Sequence, residues 1–137
     1  MTEIKVAQTP SSVSATQGGS VLLNCTFEVI SSSVGKFGWR RPSLNLEISD
    51  QIPFYRDSVV RSGQKLFAQK TAFIEIKDLA KFDSDLYVCE VEIRGVGKGK
   101  GNGTELIVID NIIEMPGHTF LSKDRGDPTN LQQFPPS

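Results

Sequence analysis

Four residues, Cys25, Trp39, Tyr87 and Cys89, constrain the fold of this chain more than anything else in it. The sequence has two cysteines and one tryptophan, and these are they. The cysteines stand 64 positions apart, with Trp39 between them and Tyr87 just ahead of the second. Each landmark sits in a run where apolar and polar residues alternate. Val21, Leu23, Cys25 and Phe27 share one side, leaving Leu22, Asn24 and Thr26 on the other. Phe37 and Trp39 alternate with Lys36, Gly38 and Arg40, and Tyr87, Cys89, Val91 and Ile93 repeat the pattern. A period of two is the signature of strands that bury a single face. No segment sustains a helical period and no repeat is visible, so the expected class is all-β.

The order and spacing of the four landmarks resemble those of an immunoglobulin variable-type (V-set) β-sandwich. That resemblance implies a disulfide from Cys25 to Cys89 joining two sheets, with Trp39 packed against it. It also implies that the Tyr87 hydroxyl reaches back to the backbone at the corner beside Asp83. With two cysteines there is enough for one bridge. Closing a loop of this length stabilises by about 4 kcal/mol in the chain-entropy description. A bridge needs an oxidising compartment, which places the domain on the extracellular side of the plasma membrane.

The 137 residues leave room for one domain and a tail. Residues 1–110 carry the alternating pattern. Residues 111–137 are polar and punctuated by Pro116-Gly117, Asp127-Pro128 and Pro135-Pro136, and they read as a membrane-proximal stalk. Arg125-Gly126-Asp127 falls there and reads as a solvated turn. No run of about 18 apolar residues occurs and the N-terminus does not look like a leader, so the chain reads as the ectodomain of a larger secreted or membrane-anchored protein. Its net charge of −1 argues against nucleic acid as a partner. Strands are expected around Ile4 and Val6 and over 13–15, 21–27, 36–40, 44–48, 52–60, 65–69, 72–77, 87–93 and 104–110. The pair 44–48 and 52–60 is the addition that marks the variable type. Ile74, Ile76 and Leu79 are further core candidates.

Gly95, Gly97, Gly99 and Gly101 alternate with Val96, Lys98 and Lys100. A phosphate-cradling loop needs a helix behind its glycines, and here a strand follows. The segment reads as a flexible hairpin connection, and no cofactor is implied. Asn24-Cys25-Thr26 and Asn102-Gly103-Thr104 both fit the N-glycosylation sequon, with Asn24 facing out because Cys25 faces in. His118 is the one histidine and lies in the tail, which leaves no metal set and no serine–histidine–aspartate arrangement. Glu90 and Glu92 share an outward face, which reads as charged binding surface rather than an acid/base pair. No catalytic residue is assigned, and the chain is not expected to be an enzyme.

The stretch 89–104, CEVEIRGVGKGKGNGT, is similar to the matching stretch of the natural cytotoxicity triggering receptor family of natural killer cells. The alternating glycines and the spacing from Cys89 to Gly101-Asn102-Gly103-Thr104 carry the likeness, and 65–83 follows it without gaps. The resemblance implies a type I membrane receptor of lymphocytes. Such a receptor binds a protein of the costimulatory ligand family on another cell and signals through a transmembrane adaptor. Carried over by position, ligand contacts fall on Val34, Lys36, Leu66, Phe67 and Arg94, with Glu90, Glu92, Val96 and Lys98 completing the face. Leu66 and Phe67, expected on a strand, would point to opposite sides. Gly101-Asn102-Gly103-Thr104 also resembles the joining segment of antigen receptors, which implies a second class: a domain that pairs with itself or with another variable-type domain. Lys36, Arg40, Glu90 and Glu92 make that face charged, which favours a monomer or a weak homodimer.

Overall fold

Alternation builds both sheets. The computed structural model describes residues 4–28, 35–110, 114–115 and 118–119. Strands β1 (Lys5–Thr9), β3 (Val21–Glu28), β6 (Val59–Arg61) and β7 (Thr71–Ile76) form the back sheet in the order β1-β3-β7-β6. Strands β2 (Ser12–Thr16), β4 (Gly35–Arg41), β5 (Leu46–Glu47), β8 (Asp85–Ile93) and β10 (Thr104–Ile109) form the front sheet in the order β2-β10-β8-β4-β5. Strand β9 (Gly97–Lys100) pairs with β8 as well. The chain changes sheets at Pro10: β1 runs antiparallel to β3, whereas β2 runs parallel to β10. Pro10 has no N–H to give a ladder, so a strand break there leaves no donor stranded.

The inward positions of the two sheets meet in one core. Cys25 and Cys89 are joined, with 6.4 Å between their Cα atoms. Trp39 lies directly across from Cys89 in the β4–β8 register, and both are fully buried. Leu23, Ile74, Ile76, Leu79, Leu106 and Val108 fill the space around them. The Tyr87 hydroxyl donates to the Asp83 carbonyl at 2.5 Å, holding the corner formed by a short 3-10 turn, Lys81–Asp83. Bridge, tryptophan and tyrosine stand as the spacing predicts.

Four expected segments take another form. The segments 44–48 and 52–60 do not make a strand pair. Only Leu46–Glu47 joins the sheet beside β4, and two 3-10 turns, Pro42–Leu44 and Pro53–Tyr55, occupy much of the rest. Proline opens each turn, where its fixed φ suits the helical entry and its missing N–H is not needed. Val59–Arg61 pairs with β7 in the back sheet instead. The segment 65–69 is not a strand; α1 (Gln64–Phe67) is a single helical turn. The segment 95–101 is not all loop, because β9 pairs Gly97 to Lys100 with Ile93 to Glu90. Within the stretch read as a stalk, β11 (Glu114–Met115) pairs with β12 (His118–Thr119); the rest of that stretch lies outside the described residues.

Candidate ligand-binding face

Cross-strand register sets the charges of the front sheet in rows. Glu92 on β8 stands between Lys36 on β4 and Lys98 on β9, and Glu90 stands between Gly38 and Lys100. Lys36 lies 3.8 Å from Glu92, and Arg40 lies 3.7 Å from Glu90. These are loose pairs in water, of the kind that contribute about 0–1 kcal/mol. The outward position at Gly38 carries no side chain, and the Glu47 carboxylate lies over it from β5. The result is a groove of about 530 Å³ lined by Lys36, Gly38, Glu47, Glu90, Glu92 and Lys98.

The β8–β9 hairpin bounds this face at one end. The Val96 amide donates to the Ile93 carbonyl at 3.0 Å, closing a turn in which Gly95 takes φ 78°. A side chain is disfavoured in that conformation, so the turn requires its glycine. Gly99 and Gly101 are glycine for a different reason. Both face inward, where a Cβ would run into the Ile4 backbone and the Gln8 side chain. Lysines on the outward positions and glycines on the inward ones make β9 an alternating strand whose apolar half has been removed. Arg94, Lys98 and Lys100 are all exposed, and none of the three has an ion pair among the described residues.

The sequence-derived site residues divide accordingly. Lys36, Glu90, Glu92, Arg94 and Lys98 come together on the groove and its hairpin. Val96 is half-buried and packs against the core from the turn. Phe67 is a correction. It is fully buried on α1, with its ring centroid 5.0 Å from that of Phe27 and 5.8 Å from that of Phe37, so it packs the core and presents nothing to a partner. Leu66, its neighbour on the helical turn, is half-buried. Val34 lies outside the described residues. Of the two sequon asparagines, Asn102 is exposed between β9 and β10, while the Thr104 hydroxyl is buried and donates to the Pro10 carbonyl at 2.6 Å. Asn24 faces outward from β3 and is half-buried.

Two anchors of this face escape a reading of the sequence. Gln8 on β1 reaches across to the front sheet. Its Nε2 donates to the Tyr87 carbonyl at 2.9 Å and to Thr104 Oγ1 at 3.3 Å, and its Oε1 accepts from the Cys89 and Gly103 amides at 3.0 Å each. One side chain thus bonds β8 to the start of β10 where the chain leaves β9. Arg41 is the second. Its guanidinium is buried and donates to Asp85 at 2.7 Å, to the Tyr55 hydroxyl at 2.9 Å and to the Phe82 carbonyl at 2.7 Å, lying 4.7 Å from the Phe82 ring centre. Partial burial opposes ionisation of Asp85, but hydrogen bonds from Ser43, Arg41 and the Leu86 amide outweigh it and hold the carboxyl below the usual carboxylate range. Burial pushes the Tyr87 phenol well above its ordinary value. A polar residue sharing the inward side of an edge strand with Val6 was the available signal for Gln8.

The immunoglobulin V-set domain family matches residues 8–109. The natural cytotoxicity triggering receptor 3 of Rattus norvegicus is 31% identical over 104 residues, covering 72% of this chain and 54% of the relative. That of Macaca fascicularis is 30% identical over 117 residues, covering 82% and 66%. The Homo sapiens protein is 30% identical over 104 residues, covering 72% and 52%. The chain therefore spans about half the length of curated relatives it matches. A disulfide between facing sheets, a tryptophan across from it, a tyrosine corner and this match point the same way: the chain belongs to the immunoglobulin V-set family.

Proposed function

We propose that this chain is the ligand-binding ectodomain of an activating receptor on natural killer cells or related lymphocytes. It meets a protein of the costimulatory ligand family on another cell, and the full-length receptor signals through a transmembrane adaptor. Residues 1–110 form the binding domain on the extracellular side of the plasma membrane, and 111–137 serve as the stalk. The relatives named natural cytotoxicity triggering receptor 3 support the class. The observation that carries the site is the run of cations on the β8–β9 hairpin that make no ion pair among the described residues. Arg94, Lys98 and Lys100 face solvent beside a groove in which Lys36 is loosely paired with Glu92 and Arg40 with Glu90. Charged residues at the edge of a contact set register and speed encounter, so the partner should offer carboxylates to this edge.

The test is a binding screen of the purified domain against displayed cell-surface proteins, repeated with variants. Arg94→Glu with Lys98→Glu should lose the captured ligand, and Val60→Glu on the back sheet should keep it. Retention by the first and loss by the second would overturn the front-face assignment.

One observation favours pairing with a second variable-type domain. Leu86 on β8 and Ile107 and Ile109 on β10 face outward on the other half of the same sheet, each more than two-fifths exposed. Sedimentation velocity separates the readings. A monomer across concentrations supports the receptor reading, and a dimer abolished by Leu86→Glu supports pairing.

A further inference from the structure

We propose that Asn24 carries an N-linked glycan, and that this glycan covers an apolar strip on the outward face of the back sheet. The inference begins with strand alternation. Cys25 is locked inward by its bridge, so its neighbours Asn24 and Thr26 must point away from the core. Thr26 is exposed and Asn24 is half-buried, so both polar members of the sequon reach the surface. The Asn24 side-chain amide makes no hydrogen bond to any described residue, so the nitrogen to be modified is not tied into the fold. The other sequon differs, since its Thr104 hydroxyl is buried and bonded.

The surroundings give the second, independent observation. Asn24 stands across from Phe73 on β7, and Phe73 is half-buried on the outward side with no aromatic neighbour among the described residues. Directly paired residues hold their Cβ atoms roughly 5 Å apart, within reach of the first sugar of a glycan on Asn24. The next row holds Leu22, Glu75 and Val60, with Leu22 49% and Val60 41% exposed. Phe73 and Leu22 thus flank one untied asparagine, and Val60 extends the strip on the far side of Glu75. An N-acetylglucosamine ring has a face of C–H groups that packs on an aromatic ring, and its hydroxyls keep the outside wet. Covering this strip would leave the front sheet as the face open to proteins, a consequence that rests on the proposed function; the glycan itself does not.

The modification is a group transfer. Asn24 Nδ2 gives up a proton and bonds to the anomeric carbon of N-acetylglucosamine. The lipid pyrophosphate of the oligosaccharide donor leaves with the bonding electron pair, and nothing is oxidised or reduced.

The experiment uses the full chain secreted from a mammalian cell. Enzymatic removal of N-glycans in heavy-oxygen water converts each occupied asparagine to labelled aspartate, and peptide mapping after reduction reads Asn24 separately from Asn102. Labelled aspartate at position 24 is expected, with Thr26→Ala abolishing it and Thr26→Ser preserving it. Unlabelled Asn24 in the wild-type chain would overturn the proposal without the need for any variant. Deglycosylation of the folded protein should raise binding of an apolar dye, and Leu22→Ser with Val60→Ser should remove that rise. A dye signal unchanged by deglycosylation would refute the covering role. Ligand binding by the front sheet is read separately, so its failure leaves the glycan standing.

Discussion

Strand β8 has two halves that handle polarity in opposite ways. From Asp85 to Cys89 the polar groups are answered from inside the molecule: Asp85 by Arg41 and Ser43, the Tyr87 hydroxyl by the Asp83 carbonyl, and the Tyr87 carbonyl and Cys89 amide by Gln8. From Glu90 to Ile93 the outward side chains are answered by lysine and arginine at 3.7–3.8 Å, in water. A buried ion pair that loses one member leaves a charge with nowhere to go, whereas an exposed pair that loses one is rehydrated. The first half therefore fixes the strand, and the second can change its charges at little expense to the fold. Such a division lets one scaffold carry different outward charges without losing its fold.

Removing Arg41 should have the largest effect. Arg41→Met takes from Asp85 the one cation paired with it among the described residues, and the expected loss is about 3–5 kcal/mol of unfolding free energy. Arg41→Met with Asp85→Leu should recover most of it, because neither charge is then left unpaired. Lys36→Met, in the other half, should stay within about 0.5 kcal/mol. Urea midpoints for the three variants decide the matter, and equal losses for Arg41→Met and Lys36→Met would erase the distinction between the halves.

Gln8→Ala comes next. It leaves the Cys89 and Gly103 amides without their acceptor, at about 1–3 kcal/mol for each buried group that finds no water. Amide exchange should rise at Cys89 and Gly103 before it rises at Val91. Uniform exchange along β8 would show that Gln8 is not the local clamp.

The anchored half also predicts a pH window. Asp85 is held below the usual carboxylate range when folded, so the unfolded chain takes up its proton first as pH falls. That contribution is present above about pH 4 and disappears as pH drops further. Tyr87 is raised when folded, so the unfolded phenol ionises first as pH climbs. Its contribution is whole below about pH 10 and is lost above it. Denaturant midpoints should form a plateau between these limits. Asp85→Asn should flatten the acid side and Tyr87→Phe the alkaline side; an acid limb unchanged by Asp85→Asn would assign it elsewhere.

Legibility follows the same division in part. Cys25, Trp39, Tyr87 and Cys89 could be read from spacing because each lies on an alternating strand whose register the burial of one face dictates. Residues 44–60 misled because Ile48, Ile52 and Tyr55 are apolar enough for strands. What places Tyr55 is the Arg41 guanidinium, from another element. Phe67 was misplaced for a related reason. Its partners Phe27 and Phe37 are far away in sequence, and the one-turn helix that delivers it has no periodicity to detect. Gln8 has no local mark beyond being polar on an inward position, and its partners arrive some eighty residues later. The glycines of β9 were visible as a period of two, but the reason they lack side chains, the nearness of Ile4 and Gln8, belongs to the folded state. The outward charges of the candidate face were readable because alternation alone puts them there.

The smallest expected change in stability sharpens the comparison most. Lys98→Glu sits on an exposed strand, makes no ion pair among the described residues and faces Glu92 across the register. The folded domain should lose less than about 0.5 kcal/mol, since a like-charge pair in water is screened. Association with an acidic partner should nevertheless slow, by roughly tenfold at low ionic strength, because a cation that steered the encounter has been reversed. Raising the salt should shrink that difference as the Debye length falls below the separation of the charges. Dissociation should change less than association if Lys98 sits at the rim of the contact. Should dissociation carry the whole effect, independent of salt, Lys98 would lie in the buried centre of the interface, and β9 would be contact surface rather than a guide for approach.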